Sequence, residues 1–173
     1  VMEAVPYIKG LDKFLGTELT DDVVAYLKDM GAASASNGAV GLYHVENLTP
    51  EAKKLKGKLI LDNAETYVID DAELERVYKS YPVMWKNKQA KPNLCFIGCP
   101  HLTYSQLISW TKNLEAALKE AGRKKVKVRT IFTTPPNVEE KFKQTEEYKK
   151  LMKMGVKISN ICPLMYTNNP IAG

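Results

Sequence analysis

Along the chain, short apolar runs alternate with longer amphipathic stretches, and the alternation becomes regular in the second half. Thr20-Asp21-Asp22 precedes Val23, Val24, Tyr26 and Leu27, so a helix is expected to begin there. Thr20 would cap it, and the acidic pair would sit in its first turn, against the positive end of the helix dipole. Small residues from Gly31 to Ala39 follow, and then Val40-Gly41-Leu42-Tyr43-His44-Val45 reads as a buried strand. Thr49-Pro50-Glu51-Ala52 predicts a short helix with proline at its first position. Lys58-Leu59-Ile60-Leu61 and Thr66-Tyr67-Val68-Ile69 read as strands around a turn. Asp70 and Glu73 have the spacing of a capping box opening a helix through Leu74, Val77 and Tyr78.

In the second half the rhythm is strand, helix, strand. Leu94-Cys95-Phe96-Ile97-Gly98 is an apolar strand, and Thr103 with Gln106 forms a capping box for the helix after it. That helix carries Leu107, Ile108, Trp110, Leu114, Ala117 and Leu118 on one stripe, and Gly122 is placed to end it. Val126 to Phe132 is the next strand. Asn137 and Glu140 suggest a third box for a helix running to Gly155, and Val156 to Ile161 the last strand. Strands separated by helices of this length imply an α/β fold, a layered domain with a largely parallel sheet flanked by helices. The expectation is one domain over residues 1–173, with residues 84–92 as a loop.

Composition narrows the function classes. The chain is 45% hydrophobic and 26% charged, as in an ordinary globular domain. Its 25 Lys and Arg exceed its 20 Asp and Glu, for a net charge of +5. The lysines alternate with glutamates, as in Glu139-Glu140-Lys141-Phe142-Lys143, which reads as a solvated helix face. No nucleic-acid partner is therefore expected. No apolar run has the length of a membrane span, and the N-terminus does not resemble a signal peptide, so a cytoplasmic location without a membrane partner is expected. Three cysteines in that setting are core thiols, metal ligands or nucleophiles rather than a disulfide framework.

Candidate chemistry collects at the strand ends, where parallel α/β sheets bind their ligands. Cys99-Pro100-His101, Thr133-Thr134 and Cys162 each end a predicted strand. Cys99 and Cys162 both precede a proline, which holds the preceding residue extended. They are the candidate metal ligands, with small core thiols as the alternative. Two cysteines cannot close a tetrahedral site, so a third donor would come from His101, His44 or another segment. His101 is the candidate catalytic residue, and Thr133 and Thr134 are candidate substrate-binding groups. His44 and Glu46 share one side of an extended segment and are read either as substrate-binding groups or as a buried pair. No phosphate loop, Gly-x-Ser-x-Gly elbow or Cys-x-x-Cys pair is present.

Two segments together carry a family resemblance. Asn37-Gly38-Ala39-Val40-Gly41-Leu42-Tyr43-His44-Val45-Glu46 with Leu48-Thr49-Pro50-Glu51-Ala52 resembles one signature of the aconitase X family of iron–sulfur hydro-lyases. Ile97-Gly98-Cys99-Pro100-His101-Leu102-Thr103 resembles a second, and Cys162-Pro163-Leu164 a weaker third. The resemblance spans nearly the whole chain and implies an aconitase-like part from the later middle of a large subunit. It implies an iron–sulfur cluster, of the 4Fe-4S type, held by three cysteines, of which Cys99 and Cys162 are present here. It further implies a small subunit or fused swivelling domain as partner and a small hydroxy acid as substrate. The family includes phosphomevalonate and cis-3-hydroxyproline dehydratases, and the lysine- and glutamate-rich surface favours the first. The chain alone is expected to be inactive. A non-catalytic module binding a phosphorylated or carboxylated small molecule is the alternative.

Overall fold

In the computed structural model, which describes residues 4–82, 87, 89–162 and 165, the strands pair in parallel and helices flank them. The first half holds β1 (Tyr7–Ile8), α1 (Asp12–Leu15), α2 (Asp21–Gly38), β2 (His44–Val45), α3 (Pro50–Leu55) and α4 (Asp71–Ser80). The second half holds β3 (Leu94–Ile97), α5 (Tyr104–Glu120), β4 (Arg129–Thr133), α6 (Pro136–Phe142), α7 (Glu146–Lys153) and β5 (Val156–Ser159). The parallel α/β reading therefore holds, distributed over two sheets: β1–β2, and β3–β4–β5 in that order. No helix among the described residues is long and apolar enough to cross a membrane.

In the first half, Thr20 caps α2 by accepting a hydrogen bond from the Val23 N–H at 3.3 Å. The small residues expected only to follow this helix instead extend it to Gly38. Alanine is the strongest helix former, and the Ser34 and Ser36 hydroxyls fold back onto the Met30 and Ala32 carbonyls at 2.9 and 2.7 Å. Small size also matters for packing. A Cβ on Gly31 would lie 3.4 Å from the ring of Tyr43, whose hydroxyl donates to the Leu27 carbonyl at 2.7 Å.

The strand expected over Val40–Val45 contracts to His44–Val45, because its partner β1 is only Tyr7–Ile8, with Tyr7 opposite His44. This small sheet rests on Val23, Val45 and Leu48, packed by Ile8, Leu11, Leu27 and Tyr43. The strands expected at 58–61 and 66–69 do not form. Lys56–Leu59 is a 3₁₀ turn, and Leu61, Tyr67, Val68 and Ile69 are 68–74% exposed. β-branched and aromatic residues make strands only where a sheet edge is there to receive them. Thr66–Ile69 is tethered instead through Tyr67, whose hydroxyl donates to the Glu73 carboxylate on α4. The Arg76 guanidinium, joined by Tyr67, pulls the Glu73 carboxyl down to about 2. Asp70 caps α4 as expected, accepting from the Glu73 N–H at 2.8 Å.

The second half is built around β4. With parallel neighbours in sequential order, crossovers of the same hand place both connecting helical segments on one face of the sheet. There Leu107 and Leu118 of α5, Phe142 of α6, Leu151 of α7, Phe132 of β4 and Val156 of β5 form one apolar core. Thr103 and Gln106 make the expected capping box in full, and Gly122 takes φ +65° just past α5. On the α5 side a groove of about 510 Å³ is lined by Cys95, Ile97, Trp110 and Phe132, among others.

The third box does not form. Pro136, with φ already fixed, opens α6 ahead of Asn137, and the Pro135 carbonyl receives the Glu139 N–H at 3.0 Å. The single helix expected to run to Gly155 breaks after Phe142. Thr145 donates its hydroxyl to the Phe142 carbonyl at 2.7 Å and caps α7 by accepting from the Tyr148 N–H at 3.1 Å. Only part of the loop expected at 84–92 lies among the described residues.

Phe142 anchors this break. It is fully buried and meets Tyr104 and Tyr148 edge-on, with ring centroids 6.5 and 5.9 Å away. Phe142→Ala is expected to cost roughly 3–5 kcal/mol in urea unfolding, the usual range for emptying an aromatic core site. A loss below about 1 kcal/mol, typical of surface positions, would show that the α6–α7 corner is held by something else.

Candidate functional site

Three turns leave the carboxyl ends of β3, β4 and β5. Because β4 lies between the other two, the ends of β3 and β5 start about 10 Å apart, two strand spacings. Both turns are tied to the end of β4. The Thr133 hydroxyl donates to the Gly98 carbonyl, the Leu102 N–H donates to the Thr133 carbonyl at 2.8 Å, and the Thr134 hydroxyl donates to the Leu102 carbonyl at 2.7 Å. On the other side the Thr134 N–H reaches the Ser159 carbonyl at 3.1 Å, and the Asn160 amide donates to the Thr134 carbonyl at 2.9 Å.

Gly98 is what lets the β3 turn come so near. Its φ is +122°, and a Cβ there would stand 2.5 Å from the Thr133 carbonyl oxygen and 3.0 Å from the Thr133 nitrogen. Both the backbone conformation and the space demand glycine. The Cys99–Pro100 peptide that follows is cis.

The result is a small pocket of about 160 Å³ lined by Gly98, Cys99, Pro100, His101 and Cys162. It brings Cys162 together with Cys99 and His101, from which the chain separates it by the span from α5 to β5. Both thiols are exposed, whereas the His101 Nε2 is buried with no hydrogen-bond partner among the described residues. Two sulfur donors suit a thiophilic metal or an iron–sulfur cluster, and an orphaned ring nitrogen beside them is a polar group awaiting a partner. The fit is partial: no group of three or more His, Cys, Asp or Glu suited to a metal occurs among the described residues.

The other residues singled out from the sequence lie elsewhere. Thr133 and Thr134, read as groups facing substrate, are fully buried, and their hydroxyls go to carbonyls of the cysteine-bearing turn. His44 lies in β2 and Glu46 in the turn just after it, and neither lines the pocket. His44 is buried, its Nδ1 unpartnered among the described residues. Glu46 is half-buried near Tyr7, whose phenol is pushed up by burial and by the Glu46 charge.

Some residues that shape the site carried no signal in the sequence. Lys28 of α2 donates to the His101 carbonyl at 2.5 Å and to the Gln106 Oε1 at 2.9 Å. Asp29 accepts from the Gln106 Nε2 at 2.7 Å. Asn160, besides holding Thr134, donates to the Glu139 carboxylate at 2.8 Å. Lys28 looks like any exposed helix lysine in the sequence, and Asn160 like an ordinary turn residue. Gly98 alone had a readable cue, a glycine at a strand end beside a reactive residue.

Two measurements test this framework. Thr134→Val keeps the side-chain volume but leaves the Leu102 carbonyl without its buried donor, so a loss of about 1–2 kcal/mol is expected. An unchanged urea midpoint would show that the turn is held without this bond. The second concerns acid. The Lys143 ammonium, and after it Asn160, holds the Glu139 carboxyl below its ordinary 4.5. Its stabilising effect is therefore full above pH 4.5 and is lost as pH falls through the lower folded-state value. Glu139→Gln is expected to be less stable than wild type at pH 7, with the gap closing as the medium is acidified below 4.5. A gap independent of pH would contradict the ion pair.

Comparison with known proteins accounts for both halves. The aconitase X second-domain model matches residues 1–79, and the aconitase X third-domain model matches residues 92–172. A phosphomevalonate dehydratase large subunit from Thermococcus kodakarensis is 32% identical over 119 residues, which is 69% of this chain and 26% of that protein. The protein of the same name from Methanosarcina mazei is 40% identical over 81 residues, 47% of this chain and 18% of that protein. The matched stretches thus cover about a quarter or less of the length of these relatives. The crystal structure of Thermococcus kodakaraensis aconitase X in its holo-form superposes with a TM-score of 0.66 at 26% identity, covering 92% of this chain and 36% of that one. Consecutive domain models over its two halves, and a shared fold across nearly all of its length, show that the chain belongs to the aconitase X family.

Proposed function

We propose that this chain is the part of a dehydratase large subunit that presents two cysteine ligands, Cys99 and Cys162, to an iron–sulfur cluster of the 4Fe-4S type. The observation that carries the reading is the pocket itself, which gathers both thiols and the His101 ring at the carboxyl ends of parallel strands. The relatives named phosphomevalonate dehydratase large subunit support phosphomevalonate as the substrate type. When bound, such a cluster supplies a Lewis-acidic iron for a substrate hydroxyl. The reaction removes that hydroxyl as water together with a proton from the neighbouring carbon, leaving an alkene.

In this reading the chain's own residues have separate tasks. Cys99 and Cys162 hold the cluster through their thiolates. His101 is the catalytic group of this reading, its buried Nε2 without a hydrogen-bond partner among the described residues. Thr133 and Thr134 keep the ligand turn in register. His44 of β2 and Glu46 just after it form the substrate-binding side, the buried His44 Nδ1 having no hydrogen-bond partner among the described residues. Residues 1–173 serve as one structural piece. A third cysteine ligand and a small subunit or swivelling domain complete the site, and the exposed Leu61, Tyr67, Val68 and Ile69 lie under the rest of the assembly. The chain alone is inactive.

The test uses a complete large subunit with its partner, reconstituted without oxygen. Cys99→Ser and Cys162→Ser are each expected to lower the iron content, alter the visible and EPR spectra and abolish phosphomevalonate dehydration. A cluster untouched by both substitutions would overturn the ligand assignment.

A further inference from the structure

The two halves of the chain meet at a polar junction between the middle of α2 and the start of α5. The Lys28 ammonium donates at once to the His101 carbonyl and to the Gln106 Oε1, at 2.5 and 2.9 Å. Asp29 takes the opposite end of the same amide, accepting from Nε2 at 2.7 Å. A cation on the amide oxygen and a carboxylate on its nitrogen leave Gln106 one orientation. That orientation also lets Oε1 accept the Thr103 N–H at 3.0 Å, completing the capping box of α5. Three of these four contacts are charge-assisted bonds between an ion and a neutral group.

The junction acts on the ligand turn directly. Gly98 and Leu102 carbonyls are held from β4, one on either side of the Cys99-Pro100-His101 segment. Between them, the His101 carbonyl is held from α2. Lys28 is itself fixed: the adjoining Leu27 carbonyl receives the Tyr43 hydroxyl at 2.7 Å, and the Lys28 side chain is 29% exposed, with Asp29 beside its ammonium at 3.2 Å. A flexible surface lysine would have no reason to be organised from three directions.

We infer that Lys28, oriented through Asp29 and Gln106, is a positioning residue for Cys99 and His101, so that the first half of the chain sets the placement of the ligand turn in the second. The inference rests on the ligand role of Cys99 for its functional meaning, but its structural part can be measured without a cluster. Groups that orient ligands from behind typically change metal affinity or activity by about 10–100-fold when removed.

The experiment uses the complete large subunit with its partner. Lys28→Met removes the contact to the His101 carbonyl. Gln106→Glu keeps an acceptor for the Thr103 N–H but sets a second carboxylate against Asp29, and Asp29→Asn added to it restores a donor there. Two rates are followed in each: iron loss to a ferrous chelator, and alkylation of Cys99 in the metal-free protein, with Cys95 as internal reference. Lys28→Met and Gln106→Glu are each expected to raise both rates about tenfold. The Gln106→Glu/Asp29→Asn pair is expected to return them to within about twofold of wild type, with Cys95 alkylation constant throughout.

Unchanged Cys99 alkylation in folded Lys28→Met would overturn the inference. So would an equal rise at Cys95, or no restoration in the double variant, since either marks general loosening. If Lys28→Met does not fold, the Gln106 and Asp29 pair decides alone. A cluster insensitive to Cys99→Ser sinks the ligand reading, whereas the alkylation pattern judges the positioning role separately.

Discussion

The arrangement of this molecule depends on the end of one strand. β4 lies between β3 and β5, and its last residue, Thr133, with Thr134 just after it, is buried, the pair being bonded to both neighbouring turns. Without those bonds, the geometry of a parallel sheet would leave Cys99 and Cys162 on turns starting about two strand spacings apart. The threonines convert a row of separate strand ends into a single pocket. Threonine suits the task because its β-branch belongs in a strand while its hydroxyl supplies a donor for a stray carbonyl.

This explains how much could be read in advance. Features encoded within a few residues were legible: the Thr20 and Asp70 caps, the Thr103–Gln106 box, the stripe on α5 and the strands around Cys99. Their physics is local, so the local sequence contains it. For the candidate site, the two cysteines at predicted strand ends lie on turns that line one pocket in the fold. Readings failed where a distant partner decides. Lys58–Leu61 and Thr66–Ile69 have strand composition but no edge to join, and 31–38 looks like filler until Tyr43 packs on Gly31. The Asn137–Glu140 box lost to the proline preceding it, a competition between two valid start signals.

The bonds that finish the site join residues far apart in the sequence. Lys28 lies 73 residues from His101, and Thr133 lies 35 from Gly98. Neither partnership leaves a trace in spacing or periodicity, since each involves a backbone carbonyl and any residue has one. Thr133 and Thr134 illustrate the point: the sequence puts them at a strand end and suggests substrate as their partner, and only the fold shows that their hydroxyls reach the Gly98 and Leu102 carbonyls.

The modest size of the first-half core has a dynamic consequence. Its buried apolar cluster is Val23, Val45 and Leu48, under a sheet of two-residue strands, whereas the second-half cluster holds eight buried side chains. Sub-global opening follows the smaller core, so the amides of β1 and β2 exchange with solvent before those of β4. Each such opening would loosen the support beneath α2, and with it the Lys28 bond to the His101 carbonyl. The looser half of the chain would then set how long the tighter half keeps that bond to its turn.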